Sequence, residues 1–292
     1  MTTALYTHPD CELHLTPQGH PERVARMVAL REALAELDLD RRNCAMGREE
    51  DVLRCHDAAY LRSIQDAVPR DGITQLDEDT FLSPGSYAAA MRAVGGVTGA
   101  IDAVVAGEVQ NAFVAVRPPG HHAERGKAMG FCLFGSVAIG AKYALDVLGL
   151  SRVAVVDFDV HHGNGTQDLL WDEARVRFVT IQQMPLWPGT GDPSEQGAHG
   201  QIANRGLPPG SDGAAMRAIY ERDAFPWLEA YSPELIIVSA GFDAHIRDPL
   251  AQLEWMADDY AWLTERICDV CPRVVSVLEG GYDLRGLSEG VR

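Results

Sequence analysis

The segment Val153–Gly165 constrains the fold more than any other part of the chain, and it reads Val-Ala-Val-Val-Asp-Phe-Asp-Val-His-His-Gly-Asn-Gly. Its apolar, mostly β-branched first half predicts a buried strand. Because side chains alternate faces along a strand, Asp157, Asp159 and His161 would share one face if the strand geometry persists. Two carboxylates and an imidazole that converge at a strand end form half of a metal site. The rest of the chain should therefore supply the other half.

Short apolar runs recur along the chain and predict strands. These runs are Ala112–Val116, Val153–Phe158, Val176–Ile181, Leu235–Ser239 and Val274–Leu278. The helical patterns around them predict the helices Pro21–Asp40, Asp57–Ala67, Ser86–Ala106, Ser136–Leu148, Ala214–Leu228 and Asp258–Val270. Apolar strands that alternate with helices predict an α/β fold, with a parallel sheet covered by helices on both faces. A single domain over residues 1–292 is the simplest interpretation.

Polar, glycine-rich sequence follows each predicted strand, and open parallel sheets place their sites at these carboxyl ends. Asp243 follows the fourth run and completes the best candidate ligand set with Asp159 and His161. Two carboxylates and one imidazole suit a divalent metal of borderline hardness. Three protein ligands leave a position for water, which is the catalytic rather than the structural arrangement. The alternative for Asp159 and His161 is a salt-bridged pair at a strand end.

Two further groups of reactive side chains follow strands. His121 and His122 come directly after Arg117-Pro118-Pro119-Gly120, where the prolines restrict the backbone. Because imidazoles titrate near neutrality, the pair could be a general base and acid, with metal ligation or packing as the alternatives. Tyr282 lies in a Gly-Gly-Tyr turn and could donate its hydroxyl to a developing oxyanion. The alternative is a half-buried surface tyrosine.

Composition limits the partners and the compartment. The formal net charge is −17, from 42 acidic and 25 basic residues, so no nucleic-acid surface is expected. The acidity fits a cationic or neutral substrate, or simply a solvated surface. No segment reads as a signal peptide or as a membrane span, so we expect a cytoplasmic protein without a membrane partner. The cysteines are then expected to be reduced, and Cys268-x-x-Cys271 to be structural.

Taken together, these motifs resemble the histone deacetylase family, specifically its class II-like bacterial members. The resemblance rests on Arg117–Ala123, Met129–Cys132, Asp157–Gln167, Pro188–Asp192, Gly241–His245 and Glu279–Leu284, with weaker similarity at Gly19–Arg23. It spans essentially the whole chain and implies the arginase–deacetylase fold. It also implies an amidohydrolase that uses a metal-activated water to remove acetyl or other short acyl groups from Nε-acyl-lysine in a protein or peptide.

The resemblance implies a cofactor and the catalytic roles. Zn²⁺, with Fe²⁺ as the alternative, would bind the three candidate ligands. His122 would be the general base and then the general acid, with His121 as an electrostatic helper. Asp157 would hold His121, and Asn164 would hold His122. An asparagine at that position is what class II members show, whereas class I members usually carry aspartate. Tyr282 would polarise the scissile carbonyl.

The resemblance also implies a substrate tunnel. Gly130 and Phe131 match one of its aromatic walls, and Trp187 stands where the other wall usually has phenylalanine. Asp79 matches the rim acid that grips the substrate backbone. Polyamine-preferring relatives can carry an acidic gatekeeper where this chain has Leu250, which favours a neutral acyl-lysine over a small acetylated amine.

Several alternatives stay open. An acetylpolyamine amidohydrolase would use the same chemistry on acetylated polyamines. A ureohydrolase of this fold would need two Mn²⁺ ions and more bridging carboxylates than the segment around Asp243 offers. A non-catalytic binding protein would be expected to have lost a ligand, the histidine pair or the tyrosine. The family's structural potassium sites would use Asp157 and Thr180. The sequence leaves open whether the protein forms an oligomer.

Overall fold

The computed structural model describes residues 2–292, which fold around one eight-stranded sheet. Its strands are β1 (Thr3–Thr7), β2 (Asp40–Asn43), β5 (Asn111–Val114), β6 (Val153–Asp157), β7 (Val176–Gln183), β8 (Ile202–Leu207), β9 (Leu235–Ala240) and β10 (Val274–Leu278). A second, two-stranded antiparallel sheet is formed by β3 (Thr74–Gln75) and β4 (Phe81–Leu82). The large sheet has the order β2-β1-β5-β10-β9-β6-β7-β8, and all its pairs are parallel.

Helices flank this sheet. The α-helices are α1 (Ala25–Ala33), α2 (Glu49–Val52), α3 (Ala58–Ala67), α4 (Ser86–Val105), α5 (Ser136–Asp146), α6 (Asn164–Leu170), α7 (Gly213–Ile219), α8 (Phe225–Tyr231), α9 (Ala257–Val270) and α10 (Leu284–Gly290). Helix α4 packs on β1, β5 and β10, and α5 packs on β6 and β9. The predicted α/β class with a parallel sheet flanked by helices is therefore confirmed.

All five predicted strands are present, but three further strands of the large sheet, β1, β2 and β8, and the two short strands β3 and β4 escaped prediction. Strands β6 and β9 are buried along their whole length, which explains their continuous apolar sequence. By contrast, β2 and β8 are the two edge strands, and both alternate buried or half-buried positions with more exposed ones. Edge strands carry polar residues and give no apolar run. Strand β1, Thr-Ala-Leu-Tyr-Thr, has three buried residues between two half-buried threonines, so its apolar run is too short to recognise.

One helix prediction was wrong in extent, and another helix has an internal irregularity. The helix predicted over Pro21–Asp40 covers only α1, and its end is stabilised by Arg41, whose guanidinium donates to the carbonyl oxygens of Leu34 and Ala35. The helix predicted over Ala214–Leu228 is present as a continuous helical stretch from Gly213 to Tyr231, in which a π-helical segment, Tyr220–Ala224, lies between α7 and α8. Pro226, directly after this segment, has no N–H to donate to the preceding turn.

Helix α4 corrects the expectation that no apolar run could span a membrane. It has 20 residues and is mostly apolar, so its length and composition meet the requirement for a membrane span. However, 72% of its most apolar 18-residue stretch is buried inside the protein, because α4 lies against the central strands. A buried core helix can thus have the same length and apolar composition as a membrane span.

All six cysteines are unpaired, as expected.

The parallel arrangement gathers distant parts of the sequence at one edge of the sheet. Strand β6 lies between β7 and β9, and Asp157 at its end is in register with Thr180 and Ser239. The segments that follow β5, β6, β9 and β10 therefore emerge side by side. These segments contain the polar side chains on which the sequence analysis depends.

Candidate active site

The three candidate metal ligands lie together. One ligand atom each from Asp159, His161 and Asp243 falls within 4.8 Å of the others, and all three residues are buried. Nδ1 of His161 is 3.2 Å from Oδ1 of Asp159 and 3.0 Å from Oδ2 of Asp243. The donor set is that of a divalent metal site with room for further ligands.

Asp157, Asp159 and His161 do not lie on one face of a continuous strand, contrary to the expectation. The strand ends at Asp157, and the chain then turns. Oδ1 of Asp157 accepts a hydrogen bond from the Asp159 N–H (3.1 Å), and Oδ1 of Asp159 accepts one from the His161 N–H (2.9 Å). These local bonds replace the sheet ladder. As a result, Asp157 does not join the ligand set but contacts His121.

Backbone groups fix both ligand carboxylates. The Val160 N–H donates to Oδ1 of Asp243 (2.9 Å), and the Gly280 N–H donates to Oδ2 of Asp159 (2.8 Å). A Cβ at Gly280 would lie 2.2 Å from Oδ2 of Asp243 and 2.5 Å from Oδ2 of Asp159. Only glycine therefore allows the loop after β10 to approach the carboxylates this closely.

The electrostatics of the triad fit a bound cation. Burial and the neighbouring Asp159 carboxylate raise the pKa of Asp243 to about 7. Although burial opposes protonation, hydrogen bonds with Asp159 and Asp243 raise the pKa of His161 to about 10. The two buried carboxylates thus hold a proton that a divalent metal would replace. An oxygen, oxygen and nitrogen donor set of this kind fits Zn²⁺ or Fe²⁺.

The histidine pair is held in two different states. Nδ1 of His121 lies 3.0 Å from Oδ2 of Asp157, and Nδ1 of His122 lies 2.8 Å from Oδ1 of Asn164. Burial opposes charge on His121, but Asp159 and Asp157 together raise its pKa well above the usual value. Burial, followed by repulsion from His121 and His161, lowers the pKa of His122 well below the usual value. The two environments therefore favour the charged form of His121 and the neutral form of His122.

Two carboxylates that the sequence did not single out support this pair. Oε2 of Glu279 accepts hydrogen bonds from the N–H groups of Gly120 (2.7 Å) and His121 (3.1 Å). Oε1 of Glu124 accepts one from Nδ2 of Asn164 (2.8 Å), which fixes the orientation of the amide. Glu279 lies inside a recognised motif, but only the fold shows that its carboxyl group meets a loop 159 residues away.

Tyr282 is anchored on both sides. Oδ2 of Asp248 accepts a hydrogen bond from its N–H (2.7 Å), and the Arg26 guanidinium lies 5.1 Å from its ring centroid. Arg26 also donates to the carbonyl oxygens of Gly281 (2.7 Å) and Glu279 (2.5 Å). Burial raises the pKa of Tyr282 well above its usual value, so the phenol keeps its proton. No sequence signal pointed to Arg26, which lies in α1 three residues beyond the Gly19–Arg23 motif and has no distinctive neighbours there.

A cavity of about 200 Å³ opens onto this chemistry. His122, His161 and Tyr282 contribute to its lining. The residues predicted to contact substrate also line it, namely Asp79, Gly130, Phe131, Trp187 and Leu250. The Trp187 ring stands edge-on to the His122 ring at 4.7 Å, and the Phe131 ring stands edge-on to the Tyr282 ring at 5.7 Å. The cavity, which we call the channel, is therefore lined by two aromatic side chains that contact His122 and Tyr282.

The parallel sheet and the polar residues gathered at its carboxyl edge define an α/β protein with a candidate active site. The histone deacetylase domain matches residues 20–292, and the chain belongs to the histone deacetylase family. A probable deacetylase of Archaeoglobus fulgidus is 35% identical, over 98% of this chain and 83% of its own length. A histone deacetylase-like amidohydrolase of Pseudomonas aeruginosa is 37% identical, over 90% of this chain and 73% of its own length. The resemblance inferred from the motifs is confirmed.

The fold comparison agrees. The solved structure of the HDA15 HD domain superposes with a TM-score of 0.94 at 30% identity, and the match covers 99% of this chain and 88% of that one. The names of the relatives support a hydrolase of the deacetylase and amidohydrolase type that acts on acetylated substrates. They do not distinguish between acyl-lysine and other acylated amines.

Proposed function

We propose that the protein is a zinc-dependent deacylase that hydrolyses the amide bond of Nε-acyl-lysine. The observation that carries this proposal is the aromatic channel, which joins the surface to a neutral imidazole, a protonated phenol and a three-ligand metal set. A channel between Phe131 and Trp187 suits an uncharged alkyl chain with an amide at its end.

Asp159, His161 and Asp243 would hold the metal ion. When bound, Zn²⁺ would supply Lewis acidity, which polarises an amide carbonyl and lowers the pKa of water from about 15.7 toward 7. The choice of Zn²⁺ over Fe²⁺ follows from the resemblance, since the donor set accepts both. Metal analysis of the purified protein tests that choice.

His122 is suited to move the proton. Because the amide oxygen of Asn164 can only accept, Nδ1 of His122 carries the hydrogen in that bond and Nε2 is free to accept a proton. Nε2 would take a proton as water attacks the carbonyl carbon. It would then give that proton to the amine nitrogen as the carbon–nitrogen bond breaks, which releases a carboxylate and the free amine.

His121 would keep His122 neutral before reaction, and Tyr282 would stabilise the negative charge that develops on the carbonyl oxygen. A positively charged His121, held by Asp157, lies beside His122 with ring centroids 3.9 Å apart and favours the neutral state of His122 before reaction. Tyr282 would donate its hydroxyl hydrogen to the carbonyl oxygen as that oxygen becomes negative. The Arg26 guanidinium against its ring favours this donation.

The lining of the channel supports acyl-lysine over polyamine. Leu186 and Leu250 contribute apolar groups to it, and these offer nothing to a charged secondary amine. One observation favours the second candidate, acetylpolyamine hydrolysis. Asp79 is an acidic residue in the lining, and the net charge of −17 would attract polycations.

A rate panel separates the two candidates. The zinc-loaded protein is assayed side by side on acetyl-lysine peptides, longer acyl-lysine peptides and acetylated polyamines. We expect the largest kcat/KM for an acyl-lysine peptide. A kcat/KM for acetylspermidine or acetylputrescine far above that of every peptide would replace the first proposal with the second. No turnover of any amide by metal-loaded protein would reject both.

The structural potassium site implied by the resemblance is also a proposal. Asp157, Thr180 and Ser239 lie side by side across β6, β7 and β9. The buried Oγ of Ser239 has no hydrogen-bond partner among the described residues, which leaves an oxygen free for a cation. A dependence of thermal stability on K⁺ over Na⁺ at equal ionic strength tests it.

A further inference from the structure

The wall of the channel contains two consecutive residues with positive φ. Gly130 has φ 57° and Phe131 has φ 68°. A left-handed backbone is ordinary for glycine but disfavoured for phenylalanine, because its Cβ crowds the following carbonyl oxygen. Such a conformation persists only where the surrounding structure holds it. The position of the Phe131 ring therefore depends on the contacts of its own backbone.

Two side chains just before β4 provide these contacts. Oδ1 of Asp79 accepts a hydrogen bond from the Gly130 N–H (3.1 Å), and Oγ1 of Thr80 accepts one from the Phe131 N–H (3.0 Å). The Thr80 hydroxyl donates in turn to Oδ1 of Asp79 (3.0 Å). Thr80 is completely buried and does not line the channel. The three bonds form a closed network that restrains both left-handed residues.

Gly130 is also tightly packed. A Cβ at this position would lie 2.5 Å from Cδ2 of His122 and 2.6 Å from Cη2 of Trp187. The Gly130 backbone thus contacts both the imidazole proposed as general base and the opposite aromatic wall. A small displacement of this backbone would move the substrate channel relative to His122.

Aromatic contacts extend the network to Tyr282. The His20 ring stands edge-on to Phe131 at 4.7 Å, and its Nε2 lies 3.1 Å from the carbonyl oxygen of Asp79. On its other side, the Phe131 ring faces Tyr282. Phe131 is therefore held between the segment that carries Asp79 and the phenol proposed to polarise the carbonyl.

We propose that Asp79 and Thr80 are positioning residues that hold the Gly130–Phe131 wall in place against His122 and Tyr282, an inference that rests on the proposed deacylase function. The resemblance assigns Asp79 a direct grip on the substrate backbone. In the structure, Oδ1 of its carboxylate is already occupied by Gly130 and Thr80, so the same group links the rim of the channel to its wall.

Thr80→Val provides the sharpest test, because valine keeps the shape of threonine and leaves Asp79 in place. We expect kcat for an acetyl-lysine peptide to fall roughly tenfold or more, since a small misplacement of reacting groups can cost up to about 100-fold. The loss should be similar for an acetylated alkylamine that lacks a peptide N–H. Thr80→Ser, which keeps the hydroxyl, should retain most of the activity.

Thr74→Val in β3 serves as the matched control. Thr74 lies in the same hairpin, and its hydroxyl has no partner among the described side-chain contacts, so the change should leave kcat near that of the wild type. If Asp79 acts only by binding the substrate backbone and Thr80 has no role in positioning, the pattern reverses. Thr80→Val then stays within about twofold of the wild type on both substrates, and Asp79→Ala is costly only for the peptide. That result would overturn the proposal.

Amide hydrogen exchange gives a readout that does not depend on turnover. We expect Thr80→Val to raise the exchange rate of the Phe131 N–H about tenfold or more, and Thr80→Ser and Thr74→Val to leave it unchanged. An unchanged exchange rate of the Phe131 N–H in folded Thr80→Val would overturn the proposal. This result does not depend on catalysis, so it can be told apart from a failure of the proposed deacylase function, in which the wild type hydrolyses no acylated amine. If Thr80→Val does not fold, Asp79→Ala is judged by the same criterion at the Gly130 N–H.

Discussion

The amide oxygen of Asn164 lies 2.8 Å from Nδ1 of His122, and this contact fixes the tautomer of the imidazole. The other end of the amide donates to Glu124, so the asparagine cannot turn without losing that bond. Asn164→Asp would place a second carboxylate against Glu124. We expect kcat/KM to fall about 10-fold to 100-fold, as for other residues that orient a catalytic side chain.

A double variant tests this explanation. Glu124→Gln combined with Asn164→Asp restores a donor against the new carboxylate, so kcat/KM should recover much of the loss. Glu124→Gln alone should cost less than Asn164→Asp, because the glutamine oxygen can still accept from Asn164. If kcat/KM of the double variant stays as low as that of Asn164→Asp while the melting temperature is unchanged, Glu124 does not orient the Asn164 amide.

Tyr282→Phe removes a single hydroxyl group from the channel. We expect the variant to bind as much metal as the wild type and to lose about 10²-fold to 10³-fold in kcat, the usual cost of one oxyanion donor. Metal analysis and steady-state kinetics on the same preparation measure both quantities. Near-normal turnover would remove Tyr282 from the mechanism.

Removal of the metal should destabilise the fold as well as abolish activity. Because the triad has two buried carboxylates, a chelator should lower the melting temperature, and Zn²⁺ at 100 times its Kd should add back about 2.7 kcal/mol to the free energy of unfolding. Asp243→Ala should lose this response. Cys268→Ser, at the CxxC segment outside the triad, should keep it. Calorimetry with and without Zn²⁺ measures the difference.

Leu250 offers a way to shift the choice between substrates. Leu250→Glu would place a carboxylate in the lining of the channel, where a charged secondary amine of a polyamine would pass. A half-exposed ion pair contributes up to about 1 kcal/mol, so we expect kcat/KM for acetylspermidine relative to acetyl-lysine peptide to rise roughly fivefold. Leu250→Gln, of the same size but uncharged, should leave the ratio near that of the wild type.

The buried His56 should make the free energy of unfolding depend on pH in the acidic range. Burial lowers the pKa of His56 to about 4 from a usual value of 6.5, and its Nε2 accepts a hydrogen bond from the Gly135 N–H (2.9 Å). The unfolded chain binds this proton from about pH 6.5 downward, whereas the folded chain binds it only near pH 4. His56 therefore makes stability fall as the pH drops between these values, by about 3 kcal/mol in total.

Chemical denaturation at several pH values tests this dependence. His56→Gln keeps an acceptor for the Gly135 N–H but cannot titrate, so its free energy of unfolding should fall less steeply between pH 6.5 and 4. His199→Gln, a change at an exposed histidine, should keep the slope of the wild type. Equal slopes for His56→Gln and the wild type would contradict the assignment.

The sequence predicted those parts of the fold in which local pattern and burial coincide. The central strands are apolar on both faces, so their sequences identify them, whereas the edge strands β2 and β8 lack that pattern. Asp159, His161 and Asp243 could be proposed as ligands because each follows a strand that ends at the same edge of the sheet.

The contacts that support the site were beyond the sequence. Glu279, Glu124 and Arg26 are ordinary charged residues until the fold brings them against a loop, an amide and a phenol. The expectation of a shared strand face failed because side chain to backbone hydrogen bonds end the strand at Asp157. The sequence does not indicate where hydrogen bonds from side chains to nearby backbone groups will replace the hydrogen bonds between strands.

The register of β6 and β9 determines whether the two carboxylates of the triad can meet in the folded protein. Asp157 pairs with Ser239, so Asp159 and Asp243 lie two and four residues beyond that pair. A slip of one residue would move a strand by about 3.3 Å and turn its side chains to the other face. The two carboxylates could then no longer share an ion. Binding of the proposed metal ion would therefore require this register, and a misregistered chain would gain no stabilisation from the metal.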